Sequence, residues 1–185
     1  MNQKREKPQR EEETRTKKRI AVLILSGLLV IVILPVIAVY ASLQIDSWLN
    51  LPRPAPEPFN LIIAAVFLAV GFFWAGWSNV DLFRKGEGTP VPREGTQTRR
   101  LVTSGAYRYT RNPMVFGYML TWIGLGFLFN SLFLTIGVTS IVTAGLIAFV
   151  KLWEEKNLEK RFGEPYIQYK KKVSFLIPLP PKKQE

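Results

Sequence analysis

The chain has 185 residues, 25 Lys and Arg against 14 Asp and Glu, a net charge of +11, and neither Cys nor His. These absences exclude disulfides, thiolate nucleophiles, imidazole bases and the usual zinc and haem ligands. Apolar residues make up 48% of the chain, and the basic residues flank the apolar runs, the pattern of membrane-surface anchors and not of a nucleic-acid groove reader.

Residues 1–19 hold eight Lys/Arg and four Glu and predict a disordered cytoplasmic arm. A signal peptide is not expected, because the apolar run that follows is too long and no small-residue cleavage site closes it. That first uncharged run, Ile20 to Ile45, predicts a membrane span over about 20–43, kinked at Pro35. A proline-rich outer loop follows, with Trp48 at headgroup level. The second run, Phe59 to Val80, predicts another span over 59–80. Trp74 and Trp77, three apart near its inner end, read as an interfacial belt, with a ligand-lining role as the lesser alternative.

Residues 81–112 predict a polar cytoplasmic loop. Its Gly86-Glu87-Gly88-Thr89-Pro90 string is a plain turn, since a phosphate cradle needs a preceding strand and a following Lys-Ser/Thr. The third uncharged run, Pro113 to Val150, is 38 residues long, about 57 Å as one helix, and must fold back. Asn130-Ser131 is its central polar pair, so a helical hairpin turning there is expected, with arms at 113–129 and 132–152. Gly117, Gly124 and Gly126 on the first arm permit close helix contact. Ser140, Ala144 and Ala148 form a small-residue ladder expected to face another helix, with Val142 toward lipid. The last arm is expected to continue as a helix through Leu158 and Phe162 to a stop at Gly163. Leu176-Ile177-Pro178-Leu179-Pro180-Pro181 predicts an extended tail.

Loop charge sets orientation. The arm carries eight Lys/Arg, the 41–58 loop one, the 81–112 loop seven, and the region after Val150 nine. The positive-inside rule places the arm, the long loop and the C-terminal segment 153–185 in the cytoplasm. The expected architecture is therefore an all-α, multi-pass membrane protein with about four transmembrane helices, both termini cytoplasmic, and one domain over 20–185.

Two cytoplasmic segments carry candidate chemistry. In Gly105-Ala106-Tyr107-Arg108-Tyr109-Thr110-Arg111-Asn112-Pro113-Met114, Asn112 and Pro113 signal a helix start, Asn as cap and Pro in the first turn. Free N–H groups there suit an anionic ligand group; a capped helix with interfacial aromatic and Arg anchors is the equal alternative. The second segment is Glu154-Glu155. Neighbours on a helix point about 100° apart, so one acid is expected to meet a cationic group while the other pairs with an Arg. A solvated pair bonded to Lys151 or Lys156 is the simpler alternative. A tight hairpin brings both segments to one cytoplasmic mouth.

The pattern Gly105-x-Tyr107-x-x-x-Arg111-Asn112-Pro113-Met114, then a hairpin, then Glu154-Glu155-x-x-Leu158-x-x-x-Phe162-Gly163-x-x-Tyr166-x-x-Tyr169 resembles the isoprenylcysteine carboxyl methyltransferase family, related to the phospholipid N-methyltransferases. The resemblance runs over about residues 59–178. It implies an S-adenosylmethionine-dependent membrane methyltransferase acting on a lipophilic acceptor: a carboxylate, thiol or lipid headgroup. It implies a cytoplasmic cofactor segment with Tyr107, Arg108, Arg111, Asn112, Pro113, Met114, Gly117, Glu154, Glu155 and Tyr166 as candidate cofactor contacts. Arg111 and Asn112 are the candidates nearest the reaction, Glu154 is preferred over Glu155 for the cofactor's ammonium or ribose hydroxyls, and no metal or nucleic acid takes part. Competing expectations are an NADPH-dependent reductase of the sterol-reductase type and a non-enzymatic membrane scaffold.

Overall fold

The computed structural model describes residues 32–86 and 98–181. The basic arm, the start of the first span (20–31) and Glu87 to Pro90 of the expected turn lie outside the described residues. The chain divides into two units, one up to Ala41 and one from Ser42. The first contributes residues 32–41, where a π-turn at residues 32–33 precedes Pro35 and helix α1 begins. This is a distortion of the kind expected beside a proline.

Helix α1 spans Leu34–Trp48, α2 Phe59–Gly86 and α3 Pro113–Leu128. Helix α4 runs Phe133–Phe162, and α5 Glu164–Lys172. A 3₁₀ turn at Gly105–Arg108 precedes α3. The described residues are helical and contain no strand, only an isolated bridge between Thr110 and Ser174. Helices α2 and α4 are long and apolar enough to cross a membrane, at about 42 and 45 Å for a 1.5 Å rise per residue. They leave Phe59, Ile62, Val66, Phe72, Phe73, Ile136, Ile141 and Phe149 exposed, faces suited to hydrocarbon and not to water. Helix α3, with 16 residues, is shorter than a bilayer core.

Helix α2 continues to Gly86, six residues past the end expected at Val80, so the polar loop begins later than its composition implied. Asp81 in this last stretch pairs with Lys85 one turn on and also accepts the Ala106 N–H from beyond the loop. The chain then returns to the helix end, where Arg99 and Arg100 N–H groups donate to the Gly86 carbonyl at 2.7 and 3.2 Å.

The hairpin turns at the expected pair. Asn130 adopts φ 51°, a left-handed conformation that Asn tolerates better than most residues. Ser131 Oγ accepts the Leu134 N–H at 3.1 Å. Asp46, from the end of α1, reaches across to accept the Phe133 N–H at 2.9 Å. Two free donors at the start of α4 are thereby satisfied.

The close-packing glycines serve mainly α2. A Cβ on Gly117 would lie 2.7 Å from both the Gly71 carbonyl and the Ala75 nitrogen, and one on Gly124 2.8 Å from the Leu68 side chain. Gly126 alone of the three meets the hairpin partner, at Thr135. The ladder expectation is corrected: Ser140, Ala144 and Ala148 are exposed, while Val142 is half-buried. The inward stripe of α4 is Thr139, Val142, Thr143, Leu146 and Val150, at spacings of three and four. Small size did not mark the packed face, because both faces of this helix are apolar.

Candidate functional site

The 3₁₀ turn, the start of α3, the end of α4 and helix α5 enclose a cavity of about 270 Å³. Its wall includes Tyr107, Arg111, Asn112, Pro113 and Met114 from one motif half, and Glu154, Glu155 and Tyr166 from the other. Of the remaining candidates, Arg108 is exposed and outside the wall, and Gly117 is buried against α2. Apolar side chains, among them Leu82, Leu101, Val102, Leu146 and Phe149, complete the wall.

Local geometry separates the two glutamates. From Val150 to Glu154 the helix widens into a π-turn, and the Glu155 N–H donates to the Val150 carbonyl five residues back. That extra residue places Glu155 under buried Val150, the position Glu154 would hold in an α-helix. Glu155 is accordingly buried. Its Oε1 pairs with Arg111, and its Oε2 with Lys170 at 3.0 Å. Lys170 also holds Glu159 at 2.8 Å, and these two carboxylate bonds raise its pKa. Glu154 lies exposed at the cavity wall, with no ion pair among the described residues.

Arg111 lines the cavity with its side chain 10% exposed, and its Nε–H has no partner among the described residues. Asn112 does not cap α3 with its side chain. Its Nδ2 donates instead to the Phe175 carbonyl at 2.9 Å. Thr110 Oγ1 donates to the same oxygen at 3.1 Å, and Arg111 N–H donates to the Ser174 carbonyl at 2.9 Å. The tail is thus laced along residues 109–112, with Leu179 N–H bonded to the Tyr109 carbonyl at 2.9 Å. Both Arg111 and Lys151 lie over the Phe175 ring, at 5.4 and 5.0 Å from its centre.

Three tyrosines, Tyr107, Tyr166 and Tyr169, line the cavity. Burial pushes the Tyr107 hydroxyl above the ordinary phenol range, with the Glu154 and Asp81 carboxylates adding to the effect. Burial likewise raises Tyr166, followed by Glu155, and Tyr169, followed by Tyr107 and Tyr166. All three remain neutral hydrogen-bonding groups at physiological pH. Trp74 and Trp77 are not in the cavity wall. They pack on Tyr109, with ring centres 6.4 and 6.1 Å away, and Trp74 also meets Phe116 edge-on.

Sequence reasoning passed over Lys170, Asp81 and Arg161. Arg161 lines the cavity and donates to the Thr98 carbonyl. A lysine or arginine in a run of basic residues gives no sign of which neighbour it will meet.

A family model described as phospholipid methyltransferase matches residues 59–165, more than half of the chain. The chain belongs to the phospholipid methyltransferase family. The methanethiol S-methyltransferase of Mycobacterium tuberculosis is 26% identical over 125 residues, 58% of this chain and 47% of that protein. Methanethiol S-methyltransferase 1 of Bradyrhizobium diazoefficiens is 29% identical over 144 residues, 71% and 48% of the two chains. The protein-S-isoprenylcysteine O-methyltransferase of Schizosaccharomyces pombe is 36% identical over 81 residues, 44% and 34% of the two. The chain thus spans about half the length of the methanethiol enzymes it matches. The resemblance read from the two motif halves is shown by these matches, and the relatives named are methyltransferases.

Proposed function

We propose that this protein is a multi-pass membrane methyltransferase that uses S-adenosylmethionine to methylate a lipophilic carboxylate, thiol or lipid headgroup at the cytoplasmic face. The observation that supports the reading is the meeting of both motif halves in one cavity, whose wall includes Arg111 and a carboxylate, Glu154, that has no ion pair among the described residues. Such groups fit a zwitterionic cofactor. Glu154 would hold its ammonium or ribose hydroxyls. The Arg111 guanidinium, with the free N–H groups of Met114 and Val115 at the start of α3, would hold its carboxylate. Glu155 is committed to Arg111 and Lys170 and acts as the structural member of the pair.

S-adenosylmethionine supplies a methyl group already activated by its sulfonium. The protein's tasks are then alignment and exclusion of water. Leu82, Leu101, Val102, Leu146 and Phe149 make the cavity apolar, while Glu154, kept for the ammonium end, is not set against the sulfonium charge that disappears during transfer. A carboxylate or thiolate acceptor needs no base, which suits a chain without histidine.

Isothermal titration of the detergent-solubilised protein with S-adenosylmethionine and with NADPH tests the reading. Binding of the first and not the second is expected. Binding of NADPH alone, or of neither, would overturn it.

A further inference from the structure

Helix α2 carries a buried carboxylate that the functional reading above does not use. Asp81 is 5% exposed. Its Oδ2 accepts the Ala106 N–H at 2.9 Å, and its Oδ1 pairs with Lys85. Gly105 rests against the same carboxylate at φ 65°, where a Cβ would lie 1.9 Å from Oδ2. Both the left-handed backbone and the contact require glycine. On the other side of the turn, the Tyr169 hydroxyl donates to the Tyr107 carbonyl at 2.6 Å. Of the four residues in the turn, Tyr107 alone reaches the cavity wall, and Asp81 itself does not line it.

We propose that Asp81 is a positioning residue of the site: with Gly105 as its seat, it fixes the Gly105–Arg108 turn so that Tyr107 is held in the cavity wall. A charged acceptor on a buried backbone N–H is among the stronger hydrogen bonds. The glycine at the head of the motif and the aspartate on α2 are two halves of one device. Asp81 acts on ligand binding through Tyr107, without touching the ligand. The proposal rests on the methyltransferase reading.

The test is calorimetric titration of the full chain in detergent with S-adenosylhomocysteine. The variants are Asp81→Ala, Asp81→Asn, Tyr107→Ala and the double variant Asp81→Ala/Tyr107→Ala. Loss of a charge-assisted bond predicts about tenfold weaker binding for Asp81→Ala. Asp81→Asn keeps an acceptor oxygen for Ala106 and should recover most of the loss. The double variant should bind no more weakly than Tyr107→Ala, because both changes remove the same element. A general loss of stability would instead multiply the two effects, and that result overturns the proposal, as does wild-type affinity in Asp81→Ala. If Asp81→Ala fails to fold, Gly105→Ala carries the test. It keeps the carboxylate but pushes it off the turn, so the same loss, absent in the Tyr107→Ala background, is expected, and unchanged binding overturns the proposal. If the wild-type protein does not bind, the methyltransferase reading has failed and this proposal falls with it. If the wild type binds and every Asp81 and Gly105 variant binds equally well, the positioning role alone has failed.

Discussion

Two adjacent glutamates of identical chemistry sit in opposite environments, and substitution should separate them. Glu155 is buried between Arg111 and Lys170. Glu155→Gln leaves a buried guanidinium without its counter-charge, and breaking a buried pair costs about 3–5 kcal/mol. Thermal unfolding in detergent should register a large loss of stability. Glu154→Gln should leave unfolding unchanged and weaken S-adenosylmethionine binding by roughly tenfold to a hundredfold, the worth of one charge-assisted hydrogen bond. The reverse pattern would exchange the two roles. Tyr107, Tyr166 and Tyr169 give a pH prediction. Their folded pKa values are raised by burial, so the folded state keeps protons that the unfolded chain loses near pH 10. Their contribution to stability is complete below about pH 10 and is lost as pH climbs toward the folded values. Denaturation at rising alkaline pH should show stability falling from about pH 10, and less steeply in Tyr169→Phe. At this scale the sequence exposed the motif residues themselves, because Asn-Pro, paired acids and spaced tyrosines are rare beside a membrane. It did not expose the partners. Asn112 looked like a cap, yet its amide is spent on Phe175, which is 63 residues away in the chain.

The elements were legible wherever polar punctuation interrupts an apolar run. Asn130-Ser131 marked the hairpin turn and Gly163 the end of α4, where φ 60° and ψ −137° favour glycine. Which face packs was not legible, since hydrophobic periodicity loses its meaning where lipid replaces water. Gly117 and Ala144 should therefore behave oppositely to a judgement by size alone. Gly117→Ala drives a Cβ into the α2 backbone and should cost about 1–3 kcal/mol as overpacking. Ala144→Leu, on an exposed face, should be mild in the same unfolding assay. Equal stability of the two variants would show that α2 and α3 do not meet as described. The π-turn was also invisible in the sequence, because a 3.6-residue period places Glu154, not Glu155, under Val150. Deleting exposed Leu152 should let this turn close to an α-turn while keeping Glu155 beneath Val150. We expect the deletion variant to fold and to retain the Arg111–Glu155 pair. Deleting Leu146 from the regular α-helical stretch should instead unfold the protein or abolish cofactor binding, since every residue beyond it rotates. Equal damage from the two deletions would refute the account of the register.

For the whole molecule, the question is how a chain without Cys or His assembles the candidate site beside its long apolar helices. The hairpin does this by returning α4 to the level at which α3 begins, so Arg111 and Glu155 meet although 44 positions separate them. The C-terminal tail, laced to residues 109–112, closes the same end. Loop charge gives the expected orientation. In the sequence, the 81–112 stretch and the region after Val150 hold sixteen of the 25 Lys and Arg, whereas the 41–58 stretch and the Asn130 turn hold Arg53 alone. Lys and Arg near span ends are retained on the cytoplasmic side, where the proposed charged, water-soluble cofactor would also be available. The arm at residues 1–19 carries the other eight and should lie on the same side, which an even number of crossings satisfies. We therefore expect tags at both termini to be accessible only from the cytoplasm, and a probe at Pro54, introduced as a single cysteine into this cysteine-free chain, to react only from outside. Labelling of intact cells against inverted membrane vesicles distinguishes the sides. Termini on opposite faces would remove the four-span arrangement while leaving the cavity intact. A cytoplasmic residue 54 would turn the site outward, away from a cytosolic cofactor, and the methyltransferase reading could not stand.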